Sequence, residues 1–138
     1  MSCGIASALR GLKPDHKVCV AEVETAAPLA SALAAGAPQE IPYIPSFVDG
    51  IGAPLVLPEM WPLVRQLLDN SLVVSLAEVA EAIRLLVERN RIVAEGAGAV
   101  SVAAALTGNA GGGKVVCIVS GGNIDTAKLI KILQGEMP

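Results

Sequence analysis

A run of five apolar residues, Val115-Val116-Cys117-Ile118-Val119, passes directly into Ser120-Gly121-Gly122-Asn123 and then into a helical pattern from Asp125 to Leu133. An apolar run of strand length has no polar face, so it is expected as a continuous buried strand. The helix that follows starts so soon that only a tight turn fits between. Strand, glycine turn and helix in that order are the units of a parallel α/β sheet. In open sheets of this kind ligands bind beyond the carboxyl ends of the strands, and glycines let a ligand approach the backbone there. Ser120 offers a hydroxyl at that place. A plain turn, with Asn123 or Asp125 capping the next helix, fits the same residues equally well.

The rest of the chain alternates in the same way. Ile5, Leu9 and Leu12 share a helical face over residues 4–12, and Lys13-Pro14-Asp15-His16 ends that helix as a turn. Val18 to Val23 is of strand length, and the Ala/Leu-rich stretch 26–36 stops at Gly36, a helix C-cap. Residues 37–58 hold Pro38, Pro42, Pro45, Pro54 and Pro58 and read as a long irregular stretch, a form often tied to function. Glu59 to Leu68 reads as a helix with Pro62 in its first turn, and Leu72 to Val74 as a brief strand. Ser75 and Glu78 have capping-box spacing, opening a helix to about Arg89 with Leu76, Val79, Ala80, Ile83 and Val87 inward. Residues 98–107 read as a buried helix, and Gly111 to Gly113 as a loop. Only three or four strands are expected, so the fold class is α/β with a partial parallel sheet and flanking helices, a single partial domain over residues 1–138.

Composition narrows what such a domain can do. The 138 residues are 53% hydrophobic, 2% aromatic and 17% charged, with a net charge of -3. That is too apolar for disorder. Without a basic stripe or stacking aromatics, no nucleic-acid partner is expected. No apolar run reaches the ~20 residues of a membrane span, and no signal peptide is apparent, so no membrane partner is expected and the cytoplasm is the default location. Cys3, Cys19 and Cys117 are odd in number and widely spaced, which argues against a disulfide framework or zinc site. Cys19 and Cys117 read as small buried hydrophobes.

Three further stretches bear on chemistry. Glu95-Gly96-Ala97-Gly98 sets a carboxylate at the start of a small-residue helix, although a surface glutamate before a glycine turn has the same pattern. Ser46-Phe47-Val48-Asp49-Gly50 lies in the proline-rich stretch and could line a pocket, or form an ordinary Asp-Gly turn. Gly108-Asn109-Ala110-Gly111-Gly112-Gly113-Lys114 has phosphate-loop spacing, but Val115 replaces the Ser or Thr and the loop precedes a strand instead of following one. His16, the only histidine, sits in a polar turn and is expected to be solvated.

Taken in order, Gly4-Ile5-Ala6, Val23-Glu24, Val48-Asp49-Gly50-Ile51, Trp61-Pro62-Leu63-Val64-Arg65, Glu95-Gly96-Ala97-Gly98 and Ser120-Gly121-Gly122-Asn123 resemble the fold-type II pyridoxal-phosphate enzymes, most closely threonine dehydratase, serine dehydratase and serine racemase. The resemblance covers nearly all of this chain and the C-terminal portion of the family's large domain. It implies pyridoxal 5'-phosphate as cofactor and β-elimination of a hydroxy amino acid to a 2-keto acid and ammonia. It also implies that Ser120 meets the pyridine nitrogen, that Gly121, Asp49 and Gly50 lie beside the cofactor, and that Glu95 lines the pocket. Glu24 matches a carboxylate that helps hold a divalent cation in some members. The cation's other acidic ligand falls at Ala30, however, and Pro28 offers only a carbonyl.

The family's Schiff-base lysine and its glycine-rich phosphate loop have no counterpart here. Lys13, Lys17, Lys114, Lys128 and Lys131 lie in turns, at a strand start or on the last helix. The chain by itself is therefore expected to have no catalytic residue, to bind no cofactor covalently and to be inactive. It reads as a truncated lyase with a possible N-terminal half as partner and an amino acid as the family's substrate. The alternative is a non-catalytic fragment or interaction module whose open edges favour homo-oligomers.

Overall fold

A computed structural model describes residues 1–138. Its helices are α1 (Ser2–Leu12), α2 (Pro28–Ala35), α3 (Trp61–Leu67), α4 (Leu76–Leu85), α5 (Gly96–Leu106) and α6 (Thr126–Leu133). Its strands are β1 (Cys19–Val23) and β2 (Asn70–Val74), paired in parallel from Cys19↔Asn70 to Val23↔Val74. The α/β class with a partial parallel sheet and flanking helices is what the sequence implies, with two strands in place of three or four.

Local signals set most boundaries. Pro28 opens α2, and Gly36 ends it in the left-handed region at φ 75°. Pro62 lies in the first turn of α3, preceded by a single 3₁₀ turn at Pro58–Met60. Both halves of the capping box form at α4: Ser75 Oγ accepts from Glu78 N–H, and Glu78 accepts from Ser75 N–H at 2.7 Å. Past Leu85 the helix widens into a π-turn over Leu86–Asn90 and stops at Arg91, left-handed at φ 60°.

The main core lies where α5 and α4 cover the sheet. Val23, Val74, Val79, Ile83, Ala99 and Ala103 are at most 2% exposed there. Ala82 and Leu86 join Val79 and Ile83 inside, while Val87 is only half-buried. Leu76 and Ala80 pack against the same cluster, so the expected inner face of α4 holds apart from Val87 and is widened by Ala82 and Leu86. A second cluster joins Ala6, Leu29, Val64, Leu67 and Leu68 between α1, α2 and α3. Leu12, expected on the packed face of α1, is exposed.

One expectation fails outright. Val115–Val119 follows an irregular path and is not part of a sheet. Val115, Val116 and Ile118 are 47%, 83% and 45% exposed, and only Val119 packs on the main core. An apolar run becomes a buried strand only when neighbouring strands supply ladder partners, and none lies beside it. For related reasons Cys117 is half-buried, and Cys19, first in an edge strand, is exposed. His16 lies exposed in its turn.

Candidate functional site

Three chain segments meet on one side of the molecule: the end of the proline-rich stretch, the start of α5, and the turn before α6. The first is held to the end of β1. Ile44 N–H donates to Thr25 O at 3.1 Å, the Thr25 and Ser46 hydroxyls lie 3.3 Å apart, and Val48 N–H donates to Ser46 Oγ. These contacts bury Phe47 and Val48 and carry Asp49 and Gly50 to the start of α5.

Glycines allow the segments to meet. A Cβ at Gly96 would lie 2.9 Å from Val48 Cγ2 and 3.0 Å from Phe47 O. One at Gly50 would lie 2.9 Å from Ala97 Cβ, and one at Gly98 would overlap Gly121 O. Real Cβ atoms do not approach so closely, so larger residues at these positions would push the segments apart.

Glu95 joins two of the segments. Its N–H donates to Gly121 O at 3.0 Å, and its carboxylate accepts from Asn123 N–H at 3.1 Å. A Cβ at Gly121 would overlap Glu95 Oε1. The Ser-Gly-Gly-Asn turn is therefore gripped by the residue that opens α5. Behind it, Ser101 Oγ donates to Ile118 O at 2.9 Å.

A cavity of about 270 Å³ opens between the segments, lined by Asp49, Gly50, Glu95, Asn123, Asp125 and Lys128 among others. That is slightly below the roughly 300–1,000 Å³ of ordinary small-molecule sites, and its mouth is open. Lys128 Nζ lies 3.6 Å from Asp49 and 3.5 Å from Asp125, whose side chains are 70% and 75% exposed, so these pairs add little stability. Of the residues singled out from sequence, Asp49, Gly50 and Glu95 line the cavity; Ser120 and Gly121 do not, and belong to the turn whose Asn123 lines it. The Ser120 side chain is exposed and takes part in no hydrogen bond within the chain. Sequence reasoning missed Lys128, although its i,i+3 spacing from Asp125 on a first helical turn was a visible signal.

Glu24 is placed differently. Its Oε1 accepts from Leu76 N–H at 2.8 Å, capping the start of α4. Ala30 brings no oxygen-bearing side chain, and its N–H donates to Glu22. No group of three or more His, Cys, Asp or Glu stands together anywhere in the chain. Of the oxygen donors that the resemblance assigns to a cation, only the Glu24 carboxylate and the Pro28 carbonyl remain, and Glu24 is engaged with Leu76 N–H.

Against known families, residues 1–121 match the family described as pyridoxal-phosphate dependent enzyme. The chain belongs to that family. Among curated relatives, the L-threonine ammonia-lyase of Thermotoga maritima is 34% identical over 131 residues, 94% of this chain and 33% of the relative. The Geobacter sulfurreducens L-threonine ammonia-lyase is 34% identical over 133 residues, covering 95% of this chain and 33% of the relative. Among solved structures, maize serine racemase aligns with a TM-score of 0.83 at 29% identity, covering 96% of this chain and 44% of that one. The processed form of threonine deaminase isoform 2 from Solanum lycopersicum aligns at 0.85 and 26%, covering 96% and 40%. The chain thus spans about a third to under half the length of the relatives it matches, and corresponds to their C-terminal part.

The pyridoxal-phosphate family thus implies a cofactor that the site can be tested against. The glycine-spaced turn, the free Ser120 hydroxyl and the polar cavity fit one wall of such a site. Lys128, the one amine lining the cavity, is held between two aspartates. No helix is long and apolar enough to cross a membrane.

Proposed function

We propose that this chain supplies the Ser120 side of a pyridoxal-phosphate site in an ammonia-lyase acting on a hydroxy amino acid of the threonine or serine type. The observation that carries the reading is the meeting of Asp49-Gly50 and Glu95 around one cavity with Asn123 of the Ser120-Gly121-Gly122-Asn123 turn, which Glu95 holds, in a chain belonging to a pyridoxal-phosphate family. When bound, the cofactor supplies the electron sink that lets such a substrate lose its α-proton and then its β-hydroxyl, leading to a 2-keto acid and ammonia.

The residues of this chain bind and orient. Ser120 presents a neutral hydroxyl to the ring nitrogen, a partner that does not stabilise a protonated ring. Glu95 holds the turn bearing Ser120 through Asn123 N–H and Gly121 O. Asp49 and Gly50 flank the cofactor from the opposite segment. The lysine that holds the cofactor and moves the α-proton comes from a further part of the fold, so these 138 residues by themselves are inactive. Glu24 caps α4 through Leu76 N–H, and no step is routed through a divalent cation.

The test uses a chimera in which the part of the Thermotoga maritima relative preceding the matched stretch is joined to Met1. The chimera is expected to turn threonine or serine into a 2-keto acid and ammonia. Ser120→Ala should lower its kcat more than tenfold without loss of folding. A folded chimera that binds pyridoxal phosphate and shows no lyase activity, or full activity with Ser120→Ala, contradicts the proposal.

A further inference from the structure

We infer that Lys128 is a positioning residue of the cavity: its ammonium, shared between Asp49 and Asp125, holds the Asp49-Gly50 segment to α6, which follows directly from the Ser120 turn, so an ion pair sets how far the cavity opens. This rests on the reading above that the cavity belongs to a cofactor site. Three segments meet there and form three junctions. Two are fixed by backbone contacts. The proline-rich segment joins α5 where Gly96 meets Val48 and Gly50 meets Ala97. The turn joins α5 through Glu95, and through Gly98 against Gly121. At the third junction no hydrogen bond joins residues 44–52 to residues 120–133. Phe47 and Ile124 line the cavity from its two sides, and the Lys128–Asp49 pair at 3.6 Å is the one polar link between them.

Helix α6 by itself does not account for a lysine at this place. Lys128 lies in the first turn of α6, where a positive charge opposes the helix dipole. Its side chain is 35% exposed, whereas those of Asp49 and Asp125 are 70% and 75% exposed. The cation is thus the more enclosed partner, lying beneath two carboxylates that stand in water.

The consequence lies in the charges. Asp49, Glu95 and Asp125 line the cavity, and Lys128 is the single cation set against them. Asp49 and Asp125 both come within 3.6 Å of that one ammonium, so they are near neighbours. With the ammonium between them they are bridged. Without it, like charges on two segments repel across the mouth. Salt screens a pair at the surface: the Debye length is about 8 Å at physiological ionic strength and about 3 Å at 1 M. The width of the cavity therefore responds to ionic strength, while the fold does not, because α5 holds each segment independently. An exposed pair of this kind can shift the affinity for a ligand by about three- to fivefold.

Amide shifts in nuclear magnetic resonance spectra of the 138-residue chain read this junction with no ligand present. Raising NaCl from about 0.05 M to about 0.5 M should move the amides of Asp49 and Gly50 and leave those of α1 in place. Lys128→Met at the lower salt should move them the same way, with the thermal transition unchanged, and added salt should then move them back. Lys128→Arg, which keeps the charge, should hold them near their natural positions. In the chimera described above, pyridoxine 5'-phosphate is the probe, because it has no aldehyde to react with a lysine. Its Kd should rise about three- to fivefold in Lys128→Met at the lower salt. Lys128→Arg, and Asp125→Asn added to Lys128→Met, should each bring the Kd back towards the natural value. The ratio of the Lys128→Met Kd to the natural one should approach one at the higher salt, and the salt dependence of the phosphate itself cancels in that ratio. Asp49 and Gly50 amides that ignore both salt and Lys128→Met overturn the inference, as does a Kd ratio that is constant with salt or that Lys128→Arg leaves unrestored. Binding of the probe by the natural chimera is read separately: a folded chimera that does not bind it, with amides that move as expected, sinks only the functional proposal.

Discussion

The Glu95 carboxylate accepts a hydrogen bond from the Asn123 N–H across 28 residues of sequence, while Glu95 N–H donates to Gly121 O. Two bonds from one residue thus tie the start of α5 to the turn that carries Ser120. The site is built by backbone proximity, and its weak point is the space between Gly98 and Gly121.

Gly98→Ala tests that space. In a helix the change by itself gains up to about 1 kcal/mol. Here the new Cβ would overlap Gly121 O and lie 3.0 Å from Gly121 N, and overpacking against backbone costs roughly 1–3 kcal/mol. The net outcome is a loss of stability in urea unfolding. In the chimera, kcat should fall as well, because the Ser120 turn is displaced.

Glu22 is the buried carboxylate, 7% exposed. It accepts from Leu29 N–H, Ala30 N–H and Ser71 Oγ at 2.9, 2.8 and 2.6 Å, capping α2 from within the sheet. Glu22→Ala leaves three buried or half-buried donors without a partner. A loss of about 2–4 kcal/mol in chemical unfolding is expected, since each unsatisfied group costs roughly 1–3 kcal/mol and the losses are not additive.

How far the sequence carried differs by feature. Caps at Ser75 and Gly36 and Pro62 in the first turn of α3 were legible because each acts within one turn of chain. The parallel α/β class was legible from alternation. The exposure of Val116 was not, because the fate of an apolar strand depends on neighbours that its own residues do not name. Nor were the roles of Glu22 and Glu24, whose partners lie 7 to 52 residues away. That Asp49, Gly50 and Glu95 line one cavity was legible through the ordered motifs, while Lys128 was passed over as one of two lysines on the last helix.

Because Glu24 caps α4 and Ala30 brings no ligand, millimolar Mg²⁺ or Ca²⁺ should leave the thermal transition unchanged. Glu24→Gln should lower it modestly, in the presence or absence of either ion. A transition that rises with cation concentration in the natural sequence, and not in Glu24→Gln, contradicts this.

The thiols of Cys117 and Cys19 should differ in reactivity. Burial pushes the Cys117 thiol above its ordinary pKa, so it holds its proton at pH 8 and reacts slowly with a disulfide reagent. Cys19, exposed at the edge of β1, should react faster. For Cys117 the protonated form is favoured in the fold, so its effect on stability is absent at neutral pH. It appears as a loss once the pH rises past the ordinary thiol value near 9.0, where the unfolded chain gives up its proton first.

The central claim is that this chain forms one wall of a pyridoxal-phosphate site whose lysine lies elsewhere. The most direct measurement is to incubate the 138-residue chain with pyridoxal phosphate, dialyse, reduce with borohydride and map labelled peptides by mass. The account predicts no lasting absorbance band and no stoichiometric label on Lys13, Lys17, Lys114, Lys128 or Lys131. A stable band, with one of these lysines labelled in full, would contradict it.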